Sequence, residues 1–203
     1  MNPSGVPKAG DLVVKLGGSI LHRTDGIAHF QNWLAKQTAQ RLFLIVGGGE
    51  IIEALRDLNS KYQLDDVEMH WRCIRLLDAT FEIVKEIFPQ AIAIDCVASW
   101  LSGNLHSDCS NSFSTILYLV RVGGFYFRES RECRDALPEN WETTSDSLAL
   151  FLARLLGIDQ VVLLKSCVID DSKSIQDLAR DGIIDEACWK LCGDNIQLRI
   201  ETI

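Results

Sequence analysis

The chain has 203 residues, of which 47% are hydrophobic and 24% charged, the balance of a globular protein rather than a disordered or fibrous one. That length suits one medium-sized domain whose core needs no staples. Its 20 basic and 28 acidic residues give a net charge of −8, which argues against a nucleic-acid partner and confines any anion site to a focused pocket. The cysteines at 73, 96, 109, 133, 167, 188 and 192 show neither CxxC pairs nor zinc-ligand spacing, and several, as in "WRCI" and "IDCVA", sit in apolar contexts. They read as small core hydrophobes in a reducing, cytoplasmic setting. The opening "MNPSGVPKAG" has no apolar segment of the kind a signal peptide needs, and no apolar run is long enough for a membrane span. The expectation is a tail over 1–10 and one domain over 11–203, with no membrane partner.

In chain order, Asp11 to Leu16 reads as a buried strand and Asp25 to Thr38 as an amphipathic helix with Asp25 as its cap. "RLFLIV" at 41–46 is a second buried strand, closed by "GGGE" and followed by the helical "IIEALRDLN". A strand, a glycine turn and a helix thus occur twice in the first 60 residues, the arrangement by which parallel α/β proteins hold ligands at the carboxyl ends of strands. A long helix is expected from Asp65, with Val67, Trp71, Ile74, Leu77, Phe81, Val84 and Phe88 forming a stripe that serves as core or as a dimer seam. The homodimer expectation rests on that stripe. Short strands follow at 91–94 and 114–120, separated by the loop-like 101–112. "SDSLALFLARLLG" reads as a capped apolar helix ended by Gly157, and "QVVLLKS" at 160–166 as another buried strand. Helical stretches near 174–181 and 185–191 and a last strand "IQLRIETI" complete a three-layer α/β/α sandwich with a mainly parallel sheet.

"KLGGS" at 15–19 places a lysine, a glycine turn and a hydroxyl at the end of a buried strand. Backbone N–H groups in such a turn, with a cation beside them, form a polyphosphate cradle. The plain alternative is a turn that merely punctuates, with Lys15 extending to solvent.

Taken in order, "VVKLGGSIL", "LIVGGGE", "WETTSDSLALFLARLLG" and "VVLLKS" resemble the amino acid kinase superfamily, which includes acetylglutamate kinase, aspartokinase, uridylate kinase and carbamate kinase. The resemblance runs from Asp11 to Ser166. It implies the carbamate kinase-like fold, ATP and Mg²⁺, and a small-molecule acceptor. Lys15, Gly17, Gly18 and Ser19 would then face ATP's terminal phosphate, and Gly47, Gly48 and Gly49 the acceptor. Asp146 would hold the catalytic lysines, beside Thr144 and Ser145; a plain helix cap is its other reading. Lys165 and Ser166 would lie near the nucleotide. The late "GGM" turn with a second ATP-contacting lysine is absent, so Lys165 or Lys173 stands in for it. No protein side chain is assigned to the metal, which is expected to travel on ATP.

"GGG" with Arg56 downstream, "HW" at 70–71, "LPENWETTSDSLA" and "DLARDGIIDEA" look like the small branch of that superfamily containing a methanofuran-biosynthesis kinase, which converts a phosphate ester to a diphosphate. On this resemblance Arg56, His70 and Trp71 join the acceptor pocket; a solvated charge, a surface histidine and a core tryptophan are the alternatives. The "GGGNxxRG"-like acceptor motif of uridylate kinases is absent. Glu50, beside the glycines, must point away from an anionic acceptor, pair with a base, or meet an amine. Competing functions are a carboxylate or carbamate kinase and a nucleotide-binding storage or regulatory protein on the same fold.

Overall fold

The structure, a computed structural model, describes residues 10–103, 115–170, 172–192 and 195–203. The expected tail, apart from residue 10, and most of the loop-like 101–112, with Cys109, lie outside the described residues.

The sheet is built on β1 (Leu12–Leu16) and β2 (Arg41–Val46), whose residues are all buried, the signature of strands covered on both faces. β3 (Ile92–Ile94), β4 (Ile116–Val120), β5 (Gln160–Lys165) and β6 (Gln197–Thr202) complete the order β3-β4-β2-β1-β5-β6. Every pairing is parallel. After β2 the chain crosses to the edge strand β3, comes back to β4 beside β2, and then passes to the opposite side of β1 for β5 and β6. That reversal opens a crevice at the carboxyl ends of β1, β2 and β5, where open parallel sheets bind ligands.

Alternation along β1 divides the core. Leu12, Val14 and Leu16 pack with α2 (Gly26–Leu34), and Val13 faces the layer containing α7 (Ser145–Leu156), α8 (Ile175–Arg180) and α9 (Glu186–Leu191). α4 (Asp66–Ile87), capped by the Asp65 carboxylate on the Glu68 N–H, serves both. Its Trp71, Ile74 and Leu77 join one cluster, and Phe81, Val84 and the following Phe88 the other. The stripe expected as core or dimer seam is therefore used by the chain's own core, apart from Val67, which is exposed. Self-association would have to draw on other surface, such as Ile83 and Ile87.

Some boundaries differ from the sequence expectation. α2 stops at Leu34 rather than Thr38 because the Lys36 and Gln37 amides turn to carbonyls three residues back, and the Gln37 amide side chain bonds Trp33 O. Asp25 does not cap it: its carboxylate is held by Arg23 instead. α3 (Glu50–Tyr62) is longer than expected. α1 (Gly18–Leu21), α5 (Val97–Leu101) and α6 (Arg131–Ala136) were not anticipated. Among the described residues no helix is long and apolar enough to cross a membrane.

Candidate active site

Three elements deliver the charges of the site. Lys15 sits one residue from the end of β1, on the face opposite Leu16, and Lys165 ends β5. Asp146 lies in the first turn of α7. The Lys15 ammonium is 2.8 Å from Asp146 Oδ1 and the Lys165 ammonium 2.5 Å from Oδ2, so one carboxylate bridges the ends of two strands. Asp146 is only 2% exposed. Burial pushes its carboxyl up, but the two ammonium groups outweigh this and hold it below the usual carboxylate range. For Lys165 burial pushes down, and Asp146 more than reverses it. The cap reading of Asp146 is thereby corrected: Thr144 occupies the N-cap position, and Asp146 points to the lysines.

The two glycine turns meet here. A Cβ on Gly18 would lie 2.0 Å from the Gly49 nitrogen, and Gly49 itself adopts φ +55°, so both positions need a residue without a side chain. Gly47 passes so close to the lysine that its Cβ would sit 3.1 Å from Lys15 Cε and 2.9 Å from Ser145 Oγ. The cradle expectation needs narrowing, because Gly17 donates its N–H to Leu164 O and Gly47 its own to Leu16 O. These two amides extend the sheet. What remains for an anion is the Gly18–Ser19 turn, the Gly48–Gly49 turn and the lysines. Ser19 and Ser166 share a hydrogen bond of 2.8 Å across the β1–β5 rim.

A cavity of about 740 Å³ opens over this cluster. Its walls include Lys15, Gly17, Gly18, Ser19, the 47–49 glycines, Arg56, His70, Thr144, Ser145, Asp146 and Lys165, so the structure brings most of the expected residues together. Trp71 does not face it. That side chain is buried, stacks on Tyr126 and donates from Nε1 to Glu139, as the core reading had it. Lys173 is also elsewhere, paired at 2.6 Å with Asp181, and Lys165 is the lysine that joins the cluster.

Arg56 lies over the ring of Trp141 at 4.8 Å and 3.6 Å from Glu53, half-exposed at the cavity wall. His70 is buried, 3.2 Å from the Tyr126 hydroxyl, and burial lowers its pKa, favouring the neutral ring. Glu50 turns outward to within 3.6 Å of His22, the base-paired option among those open to it.

Sequence reasoning missed Asp185 and Trp141, both in the cavity wall. Asp185 Oδ2 accepts from the Thr144 N–H at 2.8 Å, the Ser147 N–H at 2.9 Å and the Ser147 hydroxyl at 2.8 Å, and Oδ1 accepts the Thr144 hydroxyl. Burial, then the neighbouring Asp146, raises its pKa. Only its place before α9, in "DGIIDEA", could have drawn attention, and there it reads as an ordinary cap.

No family model matches the chain. A curated relative, the (5-(aminomethyl)furan-3-yl)methyl phosphate kinase of Methanocaldococcus jannaschii, is 23% identical over 151 residues, 74% of this chain. The chain spans 63% of that relative's length. Among solved structures, UMP kinase from Ureaplasma parvum matches with a TM-score of 0.58 at 16% identity, over 97% of this chain and 91% of the other. Uridylate kinase from Archaeoglobus fulgidus gives 0.60 at 16%, over 95% and 90%. The expected fold is thereby borne out, since uridylate kinases belong to the superfamily the motifs resemble.

Proposed function

We propose that this chain, which has the amino acid kinase fold, is an ATP- and Mg²⁺-dependent phosphotransferase that forms a diphosphate from a small phosphorylated acceptor. The observation that carries this reading is the convergence of two ammonium groups on one buried carboxylate beside two touching glycine turns. In such a transfer an oxygen of the acceptor phosphate bonds to ATP's terminal phosphorus as the bond from that phosphorus to the bridging oxygen breaks, and ADP leaves. The protein's task is positioning and charge stabilisation, with no covalent residue. Lys15 and Lys165 would neutralise the transferring group, and Asp146 would keep both ammonium groups aimed and apart.

The two carboxylates at the first turn of α7 suit a metal that travels on the nucleotide. Asp146 is committed to the lysines and Asp185 to Thr144 and Ser147, so neither is a ready metal ligand. Mg²⁺ bound with ATP would supply charge neutralisation for the phosphates.

A phosphorylated acceptor is supported by the relative's name and by Arg56, which lines the same cavity as the Gly48–Gly49 turn, since a guanidinium fork suits a phosphate. The first acceptor to test is the relative's own, a methanofuran-type aminomethylfuran phosphate. With Mg-ATP and that ester, then a panel of simple phosphate monoesters and carboxylates, ³¹P NMR should show the coupled doublets of a new diphosphate in step with ADP. An acyl phosphate would transfer the reading to a carboxylate kinase. ADP formation with no acceptor in the panel would contradict it.

A further inference from the structure

Asp185 stands at the N-cap position of α9, where an aspartate ordinarily accepts from its own helix, yet it makes no such bond. Both carboxylate oxygens instead reach α7, 38 and 41 residues earlier in the chain, and take two backbone N–H groups and two hydroxyls of its first turn. Between the two residues so held, Thr144 and Ser147, lies Asp146. Lys15 and Lys165 belong to strands paired along their length, so their backbones are fixed by the sheet. The first turn of α7 is the partner whose position the sheet does not set. A small rotation there would swing the Asp146 carboxylate away from one lysine.

We propose that Asp185 is a positioning residue that locks the first turn of α7 so that Asp146 engages both lysines at once. It has a second consequence. The amides at the start of α7 are a natural place for an anion, and occupying two of them, those of Thr144 and Ser147, with the chain's own carboxylate favours the lysines as the place for a substrate phosphate. This role rests on the phosphotransfer reading only for its catalytic effect. The charged and titratable groups facing Asp185 are Asp146 on α7, Lys165 on β5 and the Cys188 thiol on α9, and the Asp146 charge opposes its ionisation while its hydrogen bonds to Thr144 and Ser147 favour it.

The test compares the full chain with its Asp185→Asn, Asp185→Ala and Ser147→Ala variants. In protein labelled with ¹⁵N-lysine and free of nucleotide, the Lys15 and Lys165 ammonium groups should give slow-exchanging ¹H–¹⁵N signals while Asp146 holds them. Asp185→Ala should lose these signals and lower kcat by about tenfold to a hundredfold, the size of effect that small misplacements have on oriented groups. KM for ATP should stay within about twofold, which marks an interaction made in the transition state. Asp185→Asn, whose carbonyl oxygen still accepts both amides, should keep the signals and most of the turnover. Ser147→Ala, which removes the hydroxyl's bond to Asp185 and its capping contacts with Thr144 but keeps the Ser147 N–H on Asp185, should weaken the signals. Unchanged ammonium signals in Asp185→Ala and Ser147→Ala would overturn the proposal. Ordered signals in a parent protein that turns over no acceptor would instead count against the phosphotransfer reading.

Discussion

β1 carries a buried ion cluster at each end, and the two differ in kind. At the amino end Arg41 forks onto Asp11, with Nε to Oδ1 at 3.0 Å and Nη2 to Oδ2 at 2.5 Å, and its guanidinium lies over Phe43 and Trp100. That pair is neutral and is covered by aromatic rings. At the carboxyl end two ammonium groups share one carboxylate beneath a cavity, so that trio by itself carries one surplus positive charge, with Asp185 the next carboxylate behind it. Burying a charge without full compensation costs stability, and a fold that needed only to close its sheet could use a compensated pair at both ends. The uncompensated cluster is the one at the strand ends where ligands bind, and its surplus charge is what a phosphoryl group would supply the partner for.

The largest expected effects come from breaking either cluster. Asp11→Ala removes the carboxylate onto which the buried Arg41 guanidinium forks and should cost about 3–5 kcal/mol in denaturant unfolding, with kcat of the folded fraction unchanged. Asp146→Asn leaves two ammonium groups facing each other and should cost a similar amount, about 3–5 kcal/mol, while also abolishing turnover. Acid titration separates them further. Because Asp146 is held below its unfolded pKa, its stabilisation is complete above the usual carboxylate range and is lost as pH falls through the lowered value. The Asp146→Asn variant should lack that step in a plot of unfolding free energy against pH.

Lys15→Ala should leave a folded protein and lower kcat by about two to three powers of ten, the usual worth of one preorganised donor to a transition state. Equal turnover at saturating ATP would remove Lys15 from the chemistry. Gly49→Ala strikes at the contact of the two turns, where a Cβ would press to 2.7 Å of the Gly18 carbonyl carbon at a positive φ. About 1–3 kcal/mol of destabilisation is expected from the strain, read by thermal unfolding. The smallest effect belongs to Arg56→Lys, which keeps the charge but loses the fork and the contact with Trp141. It should raise the acceptor's KM by about threefold to tenfold, the loss of roughly 1 kcal/mol, with ATP affinity unchanged. Kinetics indistinguishable from the parent would detach Arg56 from acceptor binding.

How much of this was legible in the sequence follows from how local each signal is. β1, β2 and β5 are unbroken apolar runs closed by lysine or glycine, and α7 begins at a Thr-Ser cap and ends at Gly157 in the left-handed conformation, so each announced itself within a dozen residues. α1, α5 and α6, of four to six residues, are too short to show a period. Lys15, Asp146 and Lys165 could be named, and Asp146 expected to hold the lysines, only through the ordered motifs and the family they resemble, since no spacing brings residues 15, 146 and 165 together. Trp71 sat beside His70 in sequence, yet neighbours on a helix face different ways, and only the histidine reaches the cavity wall. Asp185 stayed hidden because its partners are distant in the chain and its own surroundings already explained an aspartate.

The central claim is that the surplus charge at the carboxyl end of β1 receives ATP's terminal phosphate, and a crystal structure with Mg²⁺ and a non-hydrolysable ATP analogue tests it most directly. The account predicts the terminal phosphate oxygens within about 3 Å, hydrogen-bond distance, of the Lys15 and Lys165 ammonium groups and beside the Gly18–Ser19 turn, with Asp146 still bridging the lysines. A nucleotide bound with its terminal phosphate away from both lysines, or seated on the α7 amides in place of Asp185, would contradict it.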